Sequence, residues 1–252
     1  PFLEITSNFN IGESNGGYIR KFAIMTNCDE VKMYHNNQLI NTYHINDFKV
    51  DGCFEVDDLI GNLLIENDNL SEKESAEVKE IVKEILSYDG IIRKETTDKY
   101  GKEKTSIAWN YYGKYVSNWG SKATPYHFEG YKNNELVIQI DKGFQHIKNI
   151  KVSVSTDTLI TNRSYDVCKI TLEAIGNLNN RVDYAFDAFK IEVNENLEVI
   201  GDDIVSLIGG VRSFYVKSKV KNGKGVINIL SSRFKINPIE INIQENEKPI
   251  KK

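Results

Sequence analysis

The chain has 252 residues, of which 40% are hydrophobic and 27% charged, a balance that fits one large or two ordinary globular domains and excludes an intrinsically disordered chain. With 32 Lys and Arg against 36 Asp and Glu the net charge is −4, no basic run stands out, and no apolar run approaches the ~20 residues that cross a bilayer. Neither nucleic acid nor membrane is therefore expected as a partner.

The three cysteines, Cys28, Cys53 and Cys168, are odd in number, widely spaced and without a CxxC pair. They point to no zinc knuckle or redox centre, and read as reduced, structural thiols of a cytoplasmic protein. No signal peptide is visible, and a start at Pro1 in place of Met reads as a piece of something longer, from which an export signal can have been removed.

Taken in chain order, residues 2–6 (FLEIT) and 18–24 (YIRKFAI) are short β-type runs separated by a Gly-rich turn at residues 12–17. Residues 22–43 then read as two strands around Asn36-Asn37, since Asn tolerates positive φ and so suits a type I′ turn. In that register His35 faces Gln38 and shares a face with His44. The two imidazoles are then roughly 20 Å apart at about 3.3 Å per residue, too far to share an ion.

Asp57 precedes Leu59, Ile60, Leu63 and Leu64 at helical spacing. Ser71 with Glu74 forms a capping-box signature, Val78, Ile81, Val82, Ile85 and Leu86 follow on one face, and Asp89-Gly90 stops the helix. A charged, flexible stretch is expected over residues 93–104. A second helix is expected over residues 106–120, with Ala108, Tyr112, Tyr115 and Trp119 on one side and Gly120 as its stop. Strand signals return at residues 126–131, pass a tight Asn133-Asn134 turn and continue through residues 136–140.

From Ile150 the reading is nearly pure β, with alternating runs at residues 151–154, 168–174, 189–193, 212–217 and 225–230. The expected fold class is mainly β: two β-sandwich, immunoglobulin-like domains. The first covers residues 1–147 and carries an α-helical insertion at about 56–120, and the second covers residues 148–252.

Four segments carry a resemblance. The hairpin segment FAIMTNCDEVKMYHNNQLINTY is similar to the "SNCDEVELFLNGKSLG" wording of the C-terminal region of family 2 glycoside hydrolases, the β-galactosidase, β-glucuronidase and β-mannosidase group. Phe9-Asn10-Ile11-Gly12 stands where that family's "H-W-x-W/G" strand end precedes the hairpin, with Asn8 or Phe9 in place of its His and Trp. Residues 112–120 (YGKYVSNWG), with Ala123-Thr124, resemble a "YGKYVGNWGGEAT" run of a bacterial subgroup that has a helical insertion here. Residues 179–193 with 207–216 (LIGGVRSFYV) resemble the family's final β-sandwich.

The resemblance implies a parent enzyme that is a retaining O-glycosidase with two glutamates about 5–5.5 Å apart on a barrel face. An eightfold βα barrel takes about 250 residues by itself. No catalytic residue can therefore be placed on this chain, and no cofactor or metal is expected. The implied role is that of an accessory region: its partner is the parent's catalytic barrel, with carbohydrate as a further possible ligand and homo-oligomers formed through the parent. The alternatives are a stand-alone carbohydrate-binding module and an Ig-like adhesion domain.

Candidate chemistry within the chain is sparse. Asp57-Asp58 and Asp202-Asp203 are sequence neighbours whose side chains diverge in regular structure, so each reads as a cap or turn. His127 and His146 lack partners at ligand spacing, and no G-x-S-x-G elbow is present. The aromatic run is the one candidate contact site: Trp109, Tyr112, Tyr115 and Trp119, accompanied by Tyr111, can pack the insertion, reach an active-site rim, or stack on sugar faces, with Trp119 the first choice for a substrate contact.

Overall fold

The computed structural model describes residues 1–7, 9, 19–44, 52–116 and 124–246. Two compact units, Pro1–Gln145 and His146–Lys252, each enclose a hydrophobic core of their own, and both are β-sandwiches.

In the first unit, β1 (Leu3–Ile5), β2 (Phe22–Thr26) and β5 (Cys53–Val56) form one antiparallel sheet in the order β1-β2-β5. The other sheet, β4-β3-β6-β7, is made from β3 (Glu30–His35), β4 (Gln38–His44), β6 (Tyr126–Lys132) and β7 (Glu135–Lys142). Both Asn-Asn turns form: Asn36 and Asn37 have φ of 52° and 60°, Asn133 and Asn134 of 51° and 65°. Phe9, Phe22, Tyr126 and Phe128 meet in the core at ring separations of 4.5 to 6.1 Å. Phe9, where the resemblance has a family strand end, is therefore a core residue with a buried ring.

One feature of the hairpin corrects the sequence reading. Met33 pairs with Asn41 but Tyr34 pairs with Leu39, so Ile40 is an extra, bulged residue in β4. A one-residue slip exchanges the two faces of a strand. His35 accordingly points into the core, whereas His44 is exposed and pairs with Glu30, 3.4 Å away. The two histidines lie on opposite faces, and the expectation that they share one is overturned.

Among the described residues, four helices lie between β5 and β6: α1 (Leu63–Asp68), α2 (Glu72–Ser87), α3 (Lys94–Tyr100) and α4 (Lys102–Tyr115). Ser71 and Glu74 close the capping box on α2, whose buried face is Ser75, Val78, Ile81, Val82, Ile85 and Leu86. Asp89 and Gly90, both at positive φ, end it. Asp58 does cap a turn: its Oδ1 accepts from the amides of Ile60 and Gly61, while its Oδ2 takes Lys79 of α2 at 2.8 Å.

The stretch read as flexible is helical. α3 has no apolar stripe, and is fixed through Glu84 of α2, which receives the buried Thr96 hydroxyl and Lys99, each at 2.8 Å. These tertiary bonds, invisible to periodicity, override the propensity of a charged segment. Gly101, at φ 83°, separates α3 from α4, which begins four residues before the expected start at Ser106. The Gly-rich turn at 12–17 and the expected helix stop at Gly120 lie outside the described residues.

In the second unit, β8 (Ile147–Val154), β10 (Val167–Gly176), β12 (Leu197–Ile200) and β14 (Val211–Ser218) make a sheet in the order β12-β14-β10-β8. It is stacked on a second sheet, β13-β11-β15-β16-β9, of β9 (Thr158–Thr161), β11 (Ala188–Val193), β13 (Ile204–Ser206), β15 (Gly223–Leu230) and β16 (Ile239–Glu245). Every named pairing in the unit is antiparallel except β16 with β9. Cys168, Ile170, Leu172 and Ala174 of β10 alternate into one core with Ile227, Ile229, Ile241 and Ile243. The three cysteines are unpaired, so packing holds the sheets together and disulfides contribute nothing.

Candidate functional site

Helix α4 carries the aromatic run, and the fold divides its members. Tyr112 and Tyr115 are buried in the first unit's core, Tyr111 is partly buried and stacks on Tyr115, and Trp109 remains 41% exposed. Trp119 lies outside the described residues.

The buried pair explains how Trp109 is held. Its ring stacks on Tyr112 at 5.3 Å with the planes 17° apart. The Tyr112 hydroxyl in turn sits against Gly90: a Cβ there would come within 2.6 Å of it. Tyr115 donates its hydroxyl to Asp68, which also receives Lys114 at 2.5 Å. Burial pushes the Asp68 carboxyl up, but those two hydrogen bonds outweigh it and hold the group below the usual carboxylate value.

The end of α4 is tied to the hairpin by His35. Its Nδ1 lies 2.8 Å from the Tyr115 carbonyl and its Nε2 2.7 Å from the Thr124 hydroxyl, and its ring stacks on Tyr126 at 4.1 Å and 3°. A carbonyl only accepts, so Nδ1 carries the proton and Nε2 of the neutral ring accepts from Thr124. Burial holds the His35 pKa below its ordinary value. The ring is a satisfied core group and not a ligand in waiting.

A second constellation lies on the outward face of β3 and β6, where Glu30, Lys32 and Tyr34 pair across with Tyr131, Glu129 and His127. Glu129 is its hub. Tyr131 donates to it at 2.7 Å, Tyr34 donates to it as well, and His127 lies 3.4 Å from it and 2.8 Å from Asp141. Burial raises the Glu129 carboxyl, yet the donors around it prevail and lower its pKa. The Tyr131 hydroxyl is pushed up to about 12, chiefly by its bond to Glu129. A carboxylate with its lone pairs so occupied is a poor general base. The sequence signal for this lattice is two period-2 polar rows; sequence spacing gives His127 no partner, and the sheet supplies Glu129 on β6 and Asp141 on β7.

No three His, Cys, Asp or Glu side chains gather as a metal site among the described residues. Asp202 and Asp203 lie exposed between β12 and β13. What the first unit presents at α4 is a partly exposed Trp109 stacked on the buried Tyr112.

No family model matches the sequence, and no curated protein matches it at a significant level. Solved structures do. A family 2 glycosyl hydrolase from Bacteroides cellulosilyticus superposes with a TM-score of 0.54 at 12% identity, over 93% of this chain and 24% of that one. A β-glycosidase from Bacteroides vulgatus gives 0.57 at 11% identity, over 96% and 24%. A family 2 β-glucuronidase gives 0.56 at 13% identity, over 99% and 21%. The fold is that of part of a family 2 glycosyl hydrolase. Nearly all of this chain takes part in the match, and it spans about a quarter of the length of those enzymes.

Proposed function

We propose that the chain is the non-catalytic C-terminal accessory region of a family 2 glycoside hydrolase of the β-galactosidase type. In this reading it packs on the catalytic barrel and helps shape the substrate entrance. The observation that carries the proposal is the extent of the fold match, 93 to 99% of this chain against 21 to 24% of each enzyme. The wording of the hairpin and of the α4 run, in the same order along the chain, supports it. Trp109 is the residue proposed to meet the barrel or its substrate, because among the described residues of the aromatic run it is the exposed one, on a base of buried Tyr112 and Tyr115. The chain alone hydrolyses nothing under this proposal. The unpaired thiols support a reducing, cytoplasmic setting for the parent.

The experiment is to capture the native polypeptide from source cells with an antibody against this chain, and to measure its mass and its turnover of chromogenic β-glycosides. The expected result is a polypeptide longer by at least a barrel, about 250 residues, that prefers β-galactosides. Another β-glycoside preferred over galactosides would keep the accessory role and replace the galactosidase assignment. An inactive polypeptide of the chain's own size would overturn the proposal.

A further inference from the structure

The second unit carries a groove of about 500 Å³ between edge strand β8 and the connection from β15 to β16. Its volume is within the range of small-molecule sites, about 300–1,000 Å³. It is lined by Lys148, Asn149, Arg233, Phe234, Lys235 and Asn237, together with the aliphatic residues behind them. Lys148 on β8 and Arg233 and Lys235 on the connection bring three cations to this groove of an acidic chain, one of them, Arg233, paired with Asp187.

The connection is ordered by its own bonds. Ser231 Oγ accepts the amides of Arg233 and Phe234 at 3.2 and 3.3 Å. Arg233 is held by Asp187 at 2.7 Å, with its guanidinium over the Phe234 ring at 5.1 Å, which leaves the rest of its planar fork free to donate. Lys148 and Lys235 make no ion pair, and the Asn149 and Asn237 side chains make no hydrogen bond, among the described residues. The groove thus offers point charges and a fork suited to carboxylate or sulfate, alongside two carboxamides that both donate and accept.

That combination matches a ligand with anionic groups and neighbouring hydroxyls. We propose that this groove binds an acidic oligosaccharide. A peptide strand added to β8 fits less well, because the groove's apolar side chains, Ile150, Val152, Phe234 and Ile236, are partly buried against the unit's core, and its exposed lining is cations and carboxamides. The proposal stands on the groove itself. It shares with the accessory-region reading only the expectation of a glycan, so its failure would leave that reading, judged by mass and turnover, untouched.

The test is calorimetric titration of the full 252-residue chain at low salt with trigalacturonate, a sulfated chondroitin tetrasaccharide, neutral cellotriose and hexaglutamate. The expected result is binding of one or both acidic oligosaccharides, the stronger naming the anionic group, with cellotriose and hexaglutamate weaker by at least about tenfold. K148E/K235E should lower that affinity by about tenfold or more, whereas K102E, on the first unit, should leave it unchanged. N149A/N237A should weaken glycan binding and leave any hexaglutamate binding as it was, a difference that charge alone cannot produce. Equal binding of hexaglutamate, indifference to K148E/K235E, or no acidic glycan bound by a chain with wild-type circular dichroism would each overturn the proposal.

Discussion

The two units reach a buried core by different routes. In the second, almost every buried residue is one step of a period-2 pattern, as along β10, where Cys168, Ile170, Leu172 and Ala174 alternate inward. In the first, a helical excursion is seated on a hairpin by contacts that no repeat supplies, Gly61 against the bulged Ile40 and the His35 clamp, while the Asp58–Lys79 pair braces the excursion's own start. A periodic core spreads its stability over many equivalent positions, so damage is graded by the volume removed. A joint made of unique contacts concentrates it, so damage depends on which atom is touched.

The largest effect expected from that contrast is at Gly61. It sits at φ 59°, and a Cβ there would fall 1.9 Å from the Ile40 carbonyl oxygen, a backbone atom that cannot swing aside. Gly61→Ala should cost about 4 kcal/mol or more. Leu172→Ala, in the middle of the second core, should cost about 3 kcal/mol by leaving a cavity. Both tryptophans, Trp109 and Trp119, belong to the first unit's residues, so tryptophan fluorescence in urea reports that unit while backbone amide exchange reports each separately. Gly61→Ala should shift the fluorescence midpoint and leave exchange in β10 unchanged, with the reverse for Leu172→Ala. A common shift of both would mean that the two cores do not fail independently.

His35 sharpens the contrast through pH. Because burial depresses its folded-state pKa, the unfolded chain takes up a proton first as pH falls. The stability that depends on the neutral ring is full above about pH 6.5 and is lost as pH drops through that value toward the folded one. His35→Phe keeps the stack on Tyr126 but leaves the Tyr115 carbonyl and Thr124 hydroxyl without this partner. It should cost about 2 kcal/mol at pH 7.5, and should flatten the fall in the fluorescence midpoint between pH 7.5 and 5.5. An unchanged slope would place the pH dependence elsewhere. Smaller again is Ser71→Ala, which removes the cap of α2 and should cost about 1 kcal/mol by the same urea titration.

What was legible in the sequence follows the same division. The Asn36-Asn37 and Asn133-Asn134 turns, the Ser71–Glu74 box and the alternating strands of the second unit are local signals, and they form as read. The bulge at Ile40 was not legible, because a single inserted residue has no sequence mark until the partner strand is known. Its consequence, the opposite facing of His35 and His44, was lost with it. Helix α3 was hidden because Thr96 and Lys99 are ordered by Glu84 across a helix pair, and the short strands β9, β12 and β13 because three or four residues carry too little pattern. Of the aromatic run, spacing marked Tyr112 and Tyr115 as one face of a helix, but only packing tells that this face is buried while Trp109 is not.

Trp109 is where the smallest effect on stability should accompany a large effect on function, if the proposed accessory role holds. It is partly in solvent, and among the described residues its close aromatic partner is Tyr112, so Trp109→Ala should cost the chain only about 0.5 kcal/mol. In the native-length polypeptide the same substitution is expected to lower glycosidase turnover or weaken the grip of this region on the barrel by about tenfold, the size of effect that follows from removing a buried aromatic anchor from an interface. Limited proteolysis and kcat/KM, measured side by side, separate the two routes. Faster cleavage with unchanged kinetics would assign Trp109 to interdomain packing, and slower turnover with unchanged cleavage would assign it to the substrate entrance. A variant indistinguishable from wild type in both would leave the exposed indole as surface decoration of α4 and shift the barrel contact to another face of the first unit.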